Sequence, residues 1–261
     1  MSENAIQIHP TAIVHKGARL GAGVQIGPYA IIDEHVVIGD NTTIGSHAVI
    51  TGYTTLGKNN RVFSHAVVGS EPQDVKFCGE HSMVEIGDNN VIREFATVNP
   101  GVGEGSKTVV GNDTWLMMYT HVAHNCVVGD HCKLANVVSL AGHVRVDDYA
   151  IIGGTTPVHQ FVRIGKYVMI GGGLRVPQDV APYVLAGDCP LKSCGLNQIG
   201  LERNGFSPER IKILKDAYRV VFRKKLTLKE AIKALRSDFP PNEDMLYLME
   251  FLETSTRGLT R

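Results

Sequence analysis

The sequence predicts a mainly β fold: a parallel β-helix of hexapeptide repeats followed by a C-terminal α-helical domain. Three observations predict it. Stepping by six from Ile8 to Val176, 26 of 29 positions are aliphatic. Glycine follows many of those positions, as at Gly21, Gly27, Gly39 and Gly45. From about Leu196 the apolar spacing changes to the helical period.

An α-helix repeats every 3.6 residues and an ordinary strand every two, so neither makes a six-residue period. In a parallel β-helix each six-residue unit is one flat side of a triangular coil. Three units close a coil, so residues 18 apart stack at about 4.8 Å, the spacing of neighbouring strands.

The repeat runs from Ile8 to Val68, resumes over Ile86, Ile92 and Val98, and continues from Val110 to Val176. Its β-branched and Leu residues suit a narrow stacked core. The glycines are expected to supply positive φ at tight corners. Asp40-Asn41, Asn59-Asn60 and Asn89-Asn90 suit turns for the same reason. The three misses are all acidic: Asp74, Glu80 and Glu104. They fall in Ser70–Ser82 and Asn99–Lys107, which break the pattern but keep its phase. Both segments read as loops or extruded coils, where functional residues concentrate.

The β-helix is assigned to residues 1–187 and the helical domain to 188–261. Ser207-Pro208 has the form of an N-cap followed by proline at the first helical position. Ile211, Leu214, Tyr218, Val221 and Phe222 then share one face. Thr227 to Glu230 is a capping box that leads into Ala231, Ile232 and Leu235. Pro240-Pro241 stops that helix, and Asn242 caps a third with Met245, Leu248, Met249 and Leu252 inward. Helices this short need partners; the expected ones are each other and the end of the β-helix.

Lys plus Arg and Asp plus Glu both number 26, so the net charge is zero. That argues against a general nucleic-acid binder. No apolar run reaches the roughly 20 residues of a membrane span, and no stable membrane insertion is expected. The stretch Met1–Gln7 lacks the basic start and apolar core of a signal peptide. The five cysteines form no Cys-x-x-Cys pair, and reduced thiols in a cytoplasmic protein are the plain reading.

There are 11 histidines. His47 and His65 are 18 apart in the same Ser-His-Ala-Val frame, a mark of repeat inheritance. The segment Leu116–Phe161 differs. The 18-residue step takes His124 to Gly142, next to His143, and then to Gln160, next to His159. Such an edge can hold a general base, backbone donors and polar substrate contacts. It can equally be a solvated corner, or a zinc site completed from another subunit. Cys126 has no nucleophile motif around it. Gly171-Gly172-Gly173 lacks a phosphate-binding helix after it and reads as a corner that must be small.

The motifs themselves resemble a known family. Ile26-Gly-Pro-Tyr29, Pro72-Gln-Asp-Val-Lys76, Ile92-Arg-Glu94, His121-Val-Ala-His124, Leu140-Ala-Gly-His143, Val158-His-Gln-Phe161 and Gln178-Asp-Val-Ala-Pro-Tyr183 carry the likeness. Gly195-Leu-Asn197, Arg203-Asn-Gly-Phe206 and the tail Ser255-Thr-Arg-Gly-Leu259 extend it over essentially the full length. The chain resembles the hexapeptide-repeat acyltransferases, specifically the UDP-N-acetylglucosamine O-acyltransferases (LpxA type).

The resemblance implies a left-handed β-helix and a cytoplasmic homotrimer with active sites between neighbouring subunits. It implies transfer of a 3-hydroxyacyl chain from acyl carrier protein to the sugar 3-hydroxyl of UDP-GlcNAc, the first step of lipid A synthesis. No metal or other cofactor is implied; the acyl donor rides on the phosphopantetheine of acyl carrier protein. His124 is the implied general base, with Gly142 donating its N–H to the oxyanion. Gln73, Asp74, Lys76, His121, His143, His159 and Gln160 are implied substrate contacts. Asn197 and Arg203 belong to the nucleotide end. Gly172 matches the position implied to set acyl length, and its lack of a side chain is expected to leave room for a long chain.

The chain departs from the family pattern at Asn125, where Asp is usual, and at Asn99-Pro100-Gly101, where His-Arg-Gly is common. Ile199 and Asn204 replace polar or basic residues. Some relatives acylate a 3-amino sugar, and that acceptor stays open. A zinc-dependent hydratase of the carbonic-anhydrase type and a non-catalytic structural β-helix are the other readings.

Overall fold

The computed structural model describes residues 5–261, so Met1–Asn4 of the N-terminal stretch lie outside the described residues. Strands mostly two residues long wind successively through three sheets. The first sheet has 11 strands, from Gln7–Ile8 to Lys192–Leu196. The second has eight, from Ile13–Val14 to Pro157–Val158, and the third eight, from Arg19–Leu20 to Arg163–Ile164. Neighbours within the coil are parallel, and the result is the expected triangular β-helix.

The 18-residue step holds where Gln25 pairs with Thr43 and Thr43 with Arg61. Across the first excursion Arg61 pairs with Val91, and across the second Thr97 pairs with His121, separations of 30 and 24. The excursions therefore add two repeats and one, which is why the phase survives. Two asparagines bridge these wider steps inside the prism. Asn90 N–H donates to Asn60 Oδ1 at 2.8 Å, and Thr114 N–H donates to Asn90 Oδ1 at 2.8 Å.

The repeat aliphatics form the core: Ile32, Ile50, Leu116, Leu134, Ile152 and Ile170 are fully buried. Each such side chain contributes about 1.5–3 kcal/mol of transfer free energy. Ile8, on the first described coil, is instead 46% exposed.

The corners correct one expectation. Positive φ belongs to residues such as Tyr29, Asn41, His47, Asn59, His65 and Asn89, three places beyond the aliphatic position. Of the glycines that directly follow a repeat aliphatic, such as Gly21, Gly27, Gly39 and Gly45, only Gly69 has it. Those glycines are instead required by the close stacking of coils. A Cβ on Gly39 would lie 2.6 Å from the carbonyl carbon of Gly57. His47 and His65 do stack, 4.9 Å apart, within a ladder that also includes Tyr29, Phe95 and Tyr119.

Val184–Gly187 adds one more parallel strand, and Lys192–Leu196 pairs with it antiparallel. Four helices follow: α1 (Gln198–Arg203), α2 (Pro208–Phe222), α3 (Leu228–Asp238) and α4 (Glu243–Glu253). Ser207, Thr227 and Asn242 cap α2, α3 and α4, and Thr227 with Glu230 forms the full capping box. The helices pack on one another and on the last coils. Tyr183 donates to Asp244 at 2.9 Å, and Tyr247 donates to Asp147. The C-terminal tail then crosses the last coil, where buried Asp179 accepts from Ser255 at 2.7 Å. Among the described residues no helix is long and apolar enough to cross a membrane.

Candidate active site

His124 sits just past the strand His121–Val122, on the corner between the second and third sheets. Its side chain is only 14% exposed. The imidazole lies over Gly142 of the next coil: a Cβ there would stand 2.4 Å from both Cε1 and Nε2. Glycine at 142 is therefore what lets the ring occupy this place. Among the described residues no group accepts from the Gly142 N–H, which the corner leaves free beside the ring.

The Nδ1 side of the ring meets Asn125 Oδ1 at 2.8 Å. The orientation of that amide is fixed by the second excursion. Val102 N–H donates to Asn125 Oδ1 at 2.9 Å, and Asn125 Nδ2 donates back to Val102 O. An amide oxygen only accepts, so Nδ1 carries the proton and Nε2 keeps its lone pair.

Asp74, from the first excursion, approaches Nε2 to 3.4 Å. Its other oxygen accepts from Lys76 N–H at 2.9 Å. The acidic misses of the repeat thus have structural work. Glu80 accepts from the N–H groups of Cys78 and Gly103, both at 2.8 Å, and Glu104 accepts from His81 N–H at 3.1 Å. The N–H of Cys78, first among these donors, holds the Glu80 carboxyl below its ordinary range. Glu80 and Glu104 clasp the two excursions together.

Gln73, Asp74, Val75, Asn99, His121, Ala123 and His124 line a cleft of about 320 Å³. His121 Nδ1 bonds Thr97 Oγ1 at 2.7 Å. Burial first, and His124 second, hold the His121 imidazole below its ordinary value; the same two causes act in that order on His143. Both rings are therefore neutral above their ordinary titration range. The His143 ring stacks on Phe161 at 4.6 Å, whereas His159 turns toward the tail and its Nδ1 accepts from Arg257 at 3.0 Å. The 18-residue ruler thus places Gly142 correctly, and it is Phe161 that stacks on His143.

Two family models match the chain. One, described as UDP-N-acetylglucosamine O-acyltransferase domain 2, covers residues 179–260, and the bacterial transferase hexapeptide model covers 17–52 and 107–138. An acyl-[acyl-carrier-protein]--UDP-N-acetylglucosamine O-acyltransferase of Xylella fastidiosa is 46% identical over 100% of both chains. One from Thiobacillus denitrificans is 48% identical over 97% of this chain and 99% of its own. The chain belongs to the UDP-N-acetylglucosamine O-acyltransferase family. Solved structures agree. The Francisella novicida enzyme superposes with a TM-score of 0.95 at 40% identity, covering 98% of this chain and 94% of its own. The Bacteroides fragilis enzyme also gives 0.95, at 42% identity, covering 98% and 100%.

Within this acyltransferase Asn197, Arg203 and Gly172, the other candidates from sequence, lie apart from His124. Asn197 and Arg203 line a second cleft, of about 650 Å³, beneath α1 and over Ile151, Met169 and Leu185 of the first sheet. Asn197 also caps α1, accepting from Gly200 N–H at 3.2 Å, and donates to Tyr167 O at 2.9 Å. Gly172 lies on the corner between the first and second sheets, where a Cβ would stand 3.0 Å from Gly154 O. In a triangular prism the edge that bears His124 is opposite the first sheet, so one chain does not join the two clefts.

Two residues in contact with the candidate region were not singled out from sequence as candidates. Asn99 is 5% exposed, and its Nδ2 donates to Ser70 O and Glu71 O at the root of the first excursion, at 2.9 and 3.3 Å. The broken family motif at Asn99 was the available signal. Arg257 had its tail motif as signal, with no spacing rule to link it to His159. Cys126 is buried, and burial pushes its thiol up to about 12, so it is no thiolate nucleophile at neutral pH. Among the described residues no three His, Cys, Asp or Glu side chains gather as metal ligands.

Proposed function

We propose that this chain moves a 3-hydroxyacyl group from acyl carrier protein to the 3-hydroxyl of UDP-N-acetylglucosamine, the first step of lipid A synthesis. One observation carries the mechanism: His124 has Nδ1 engaged by Asn125 and Nε2 placed over Gly142. Neutral imidazole at that position takes the sugar hydroxyl proton as the oxygen attacks the thioester carbonyl, an effect of about 10²–10⁴-fold. The tetrahedral oxyanion then forms beside the free N–H of Gly142, a donor worth about 3 kcal/mol. Collapse breaks the C–S bond, and the imidazolium returns its proton to the departing thiolate.

Gln73, Asp74, Lys76, His121, His143, His159 and Gln160 are the proposed contacts around the sugar and acyl ends. The prism argument supports a site shared between copies, with Asn197 and Arg203 of a neighbour at the nucleotide end. A cytoplasmic homotrimer provides that arrangement, with no metal and no cofactor beyond the donor's phosphopantetheine.

The test is a donor-by-acceptor assay. It pairs UDP-N-acetylglucosamine or its 3-amino analogue with acyl carrier protein thioesters of graded length. The expected product is the 3-O-acyl sugar nucleotide. Turnover of the amino analogue alone would move the reading to N-acylation, and no turnover of either would overturn it. Stoichiometric zinc in active protein, lost together with activity on chelation, would favour the hydratase reading.

A further inference from the structure

Both excursions from the repeat reach His124, from opposite sides. The second grips Nδ1 through Asn125, a neutral amide held by Val102. The first brings the Asp74 carboxylate to 3.4 Å from Nε2. The Asp74 side chain is 24% exposed, and its second oxygen is fixed by the Lys76 N–H. Asn99 anchors the root of the same excursion, and Glu80 ties it to Gly103.

An imidazole that takes a proton acquires a full positive charge. On the Nδ1 side this site offers a dipole and no charge. Among the described residues the one carboxylate in ion-pairing reach of the ring is Asp74. We infer that Asp74 is the electrostatic partner of His124, stabilising the imidazolium formed in the transition state from the Nε2 side. This deepens the acyl-transfer reading and rests on it. The balance is simple. The proton leaves the acceptor hydroxyl for Nε2, the positive ring is held by Asp74, and the same proton leaves with the thiol when the C–S bond breaks. No proton is passed on to Asp74. Its interaction with the ring strengthens as charge develops, which is the requirement for raising kcat over ground-state binding. A contact made only to substrate would act on KM.

The test is a two-residue cycle in the full-length protein, read as kcat and KM separately. Asp74→Asn keeps size and removes charge. It is expected to lower kcat on the order of tenfold or more, as for loss of one partly buried charge interaction, with KM within about threefold. Asn125→Asp supplies a carboxylate on the Nδ1 side, where positive φ is tolerated by Asp. In the Asp74→Asn background it is expected to restore kcat to within about threefold of the parent. Rescue of kcat supports the inference. A kcat loss without rescue, or a change confined to KM, overturns it and leaves Asp74 a substrate contact. If the double variant does not fold, the kcat and KM of Asp74→Asn alone decide. An inactive parent sinks the acyl-transfer reading itself, which is a different result from an active parent with no rescue.

Discussion

Replacing Gly142 by alanine tests the stacking of His124 on the next coil more finely than removing the histidine. The new Cβ would stand 2.4 Å from Cε1 and Nε2, where ordinary contact begins near 3.4 Å. The imidazole must then withdraw by about 1 Å, a displacement that costs on the order of 10²-fold in a positioned reaction. That is about 2.7 kcal/mol in the barrier. Gly142 does not have positive φ, so alanine fits the backbone and the fold should stand. Steady-state transfer assays should show kcat reduced about a hundredfold, with circular dichroism unchanged. Gly195→Ala is the matched control, because a Cβ there meets nothing within 4 Å. A kcat within about threefold of the parent in Gly142→Ala would refute the claim that the ring works from this position.

Three further outcomes are expected. Gly172→Met should shift donor preference toward shorter acyl chains; an unchanged preference in a chain-length series would place the acyl tail elsewhere. Coexpressing His124→Ala chains with Arg203→Glu chains should restore part of the activity each lacks alone, as the proposed site shared between copies requires; no recovery in mixed oligomers would put the site within one chain. The third concerns pH. Folding holds the His121 imidazole below its ordinary value, through burial first and His124 second. The unfolded chain then binds more protons as pH falls below about 6.5, so stability rises with pH there and drops on acidification. Thermal melts from about pH 7 to about pH 5 should lose Tm, and less steeply in His121→Gln; equal slopes would contradict this.

The fold was legible because its core is one residue class at one interval. Ile32, Ile50 and Leu116 report the same environment coil after coil, and the caps at Ser207, Thr227 and Asn242 each follow a local rule. The stacking of His124 on Gly142 was legible for the same reason, through arithmetic along the chain. What escaped depends on contacts between segments without a shared period. The reach of Asp74 to His124 depends on how an excursion folds back, and that of Arg257 to His159 on how the tail is held by Asp179, Arg163 and Ser193. The glycines were read for their backbone freedom, whereas the spacing of stacked coils is what excludes a Cβ at Gly39. Asn197 and Arg203 are placed by α1 over the first sheet, and the sequence has no ruler between that face and the opposite edge.

The most direct measurement is single-turnover transfer by His124→Ala, with acyl carrier protein thioester and UDP-N-acetylglucosamine, alongside the parent. The account predicts a folded oligomer that binds the sugar nucleotide and transfers at least about 10²-fold more slowly. Near-parental transfer by that variant would contradict it.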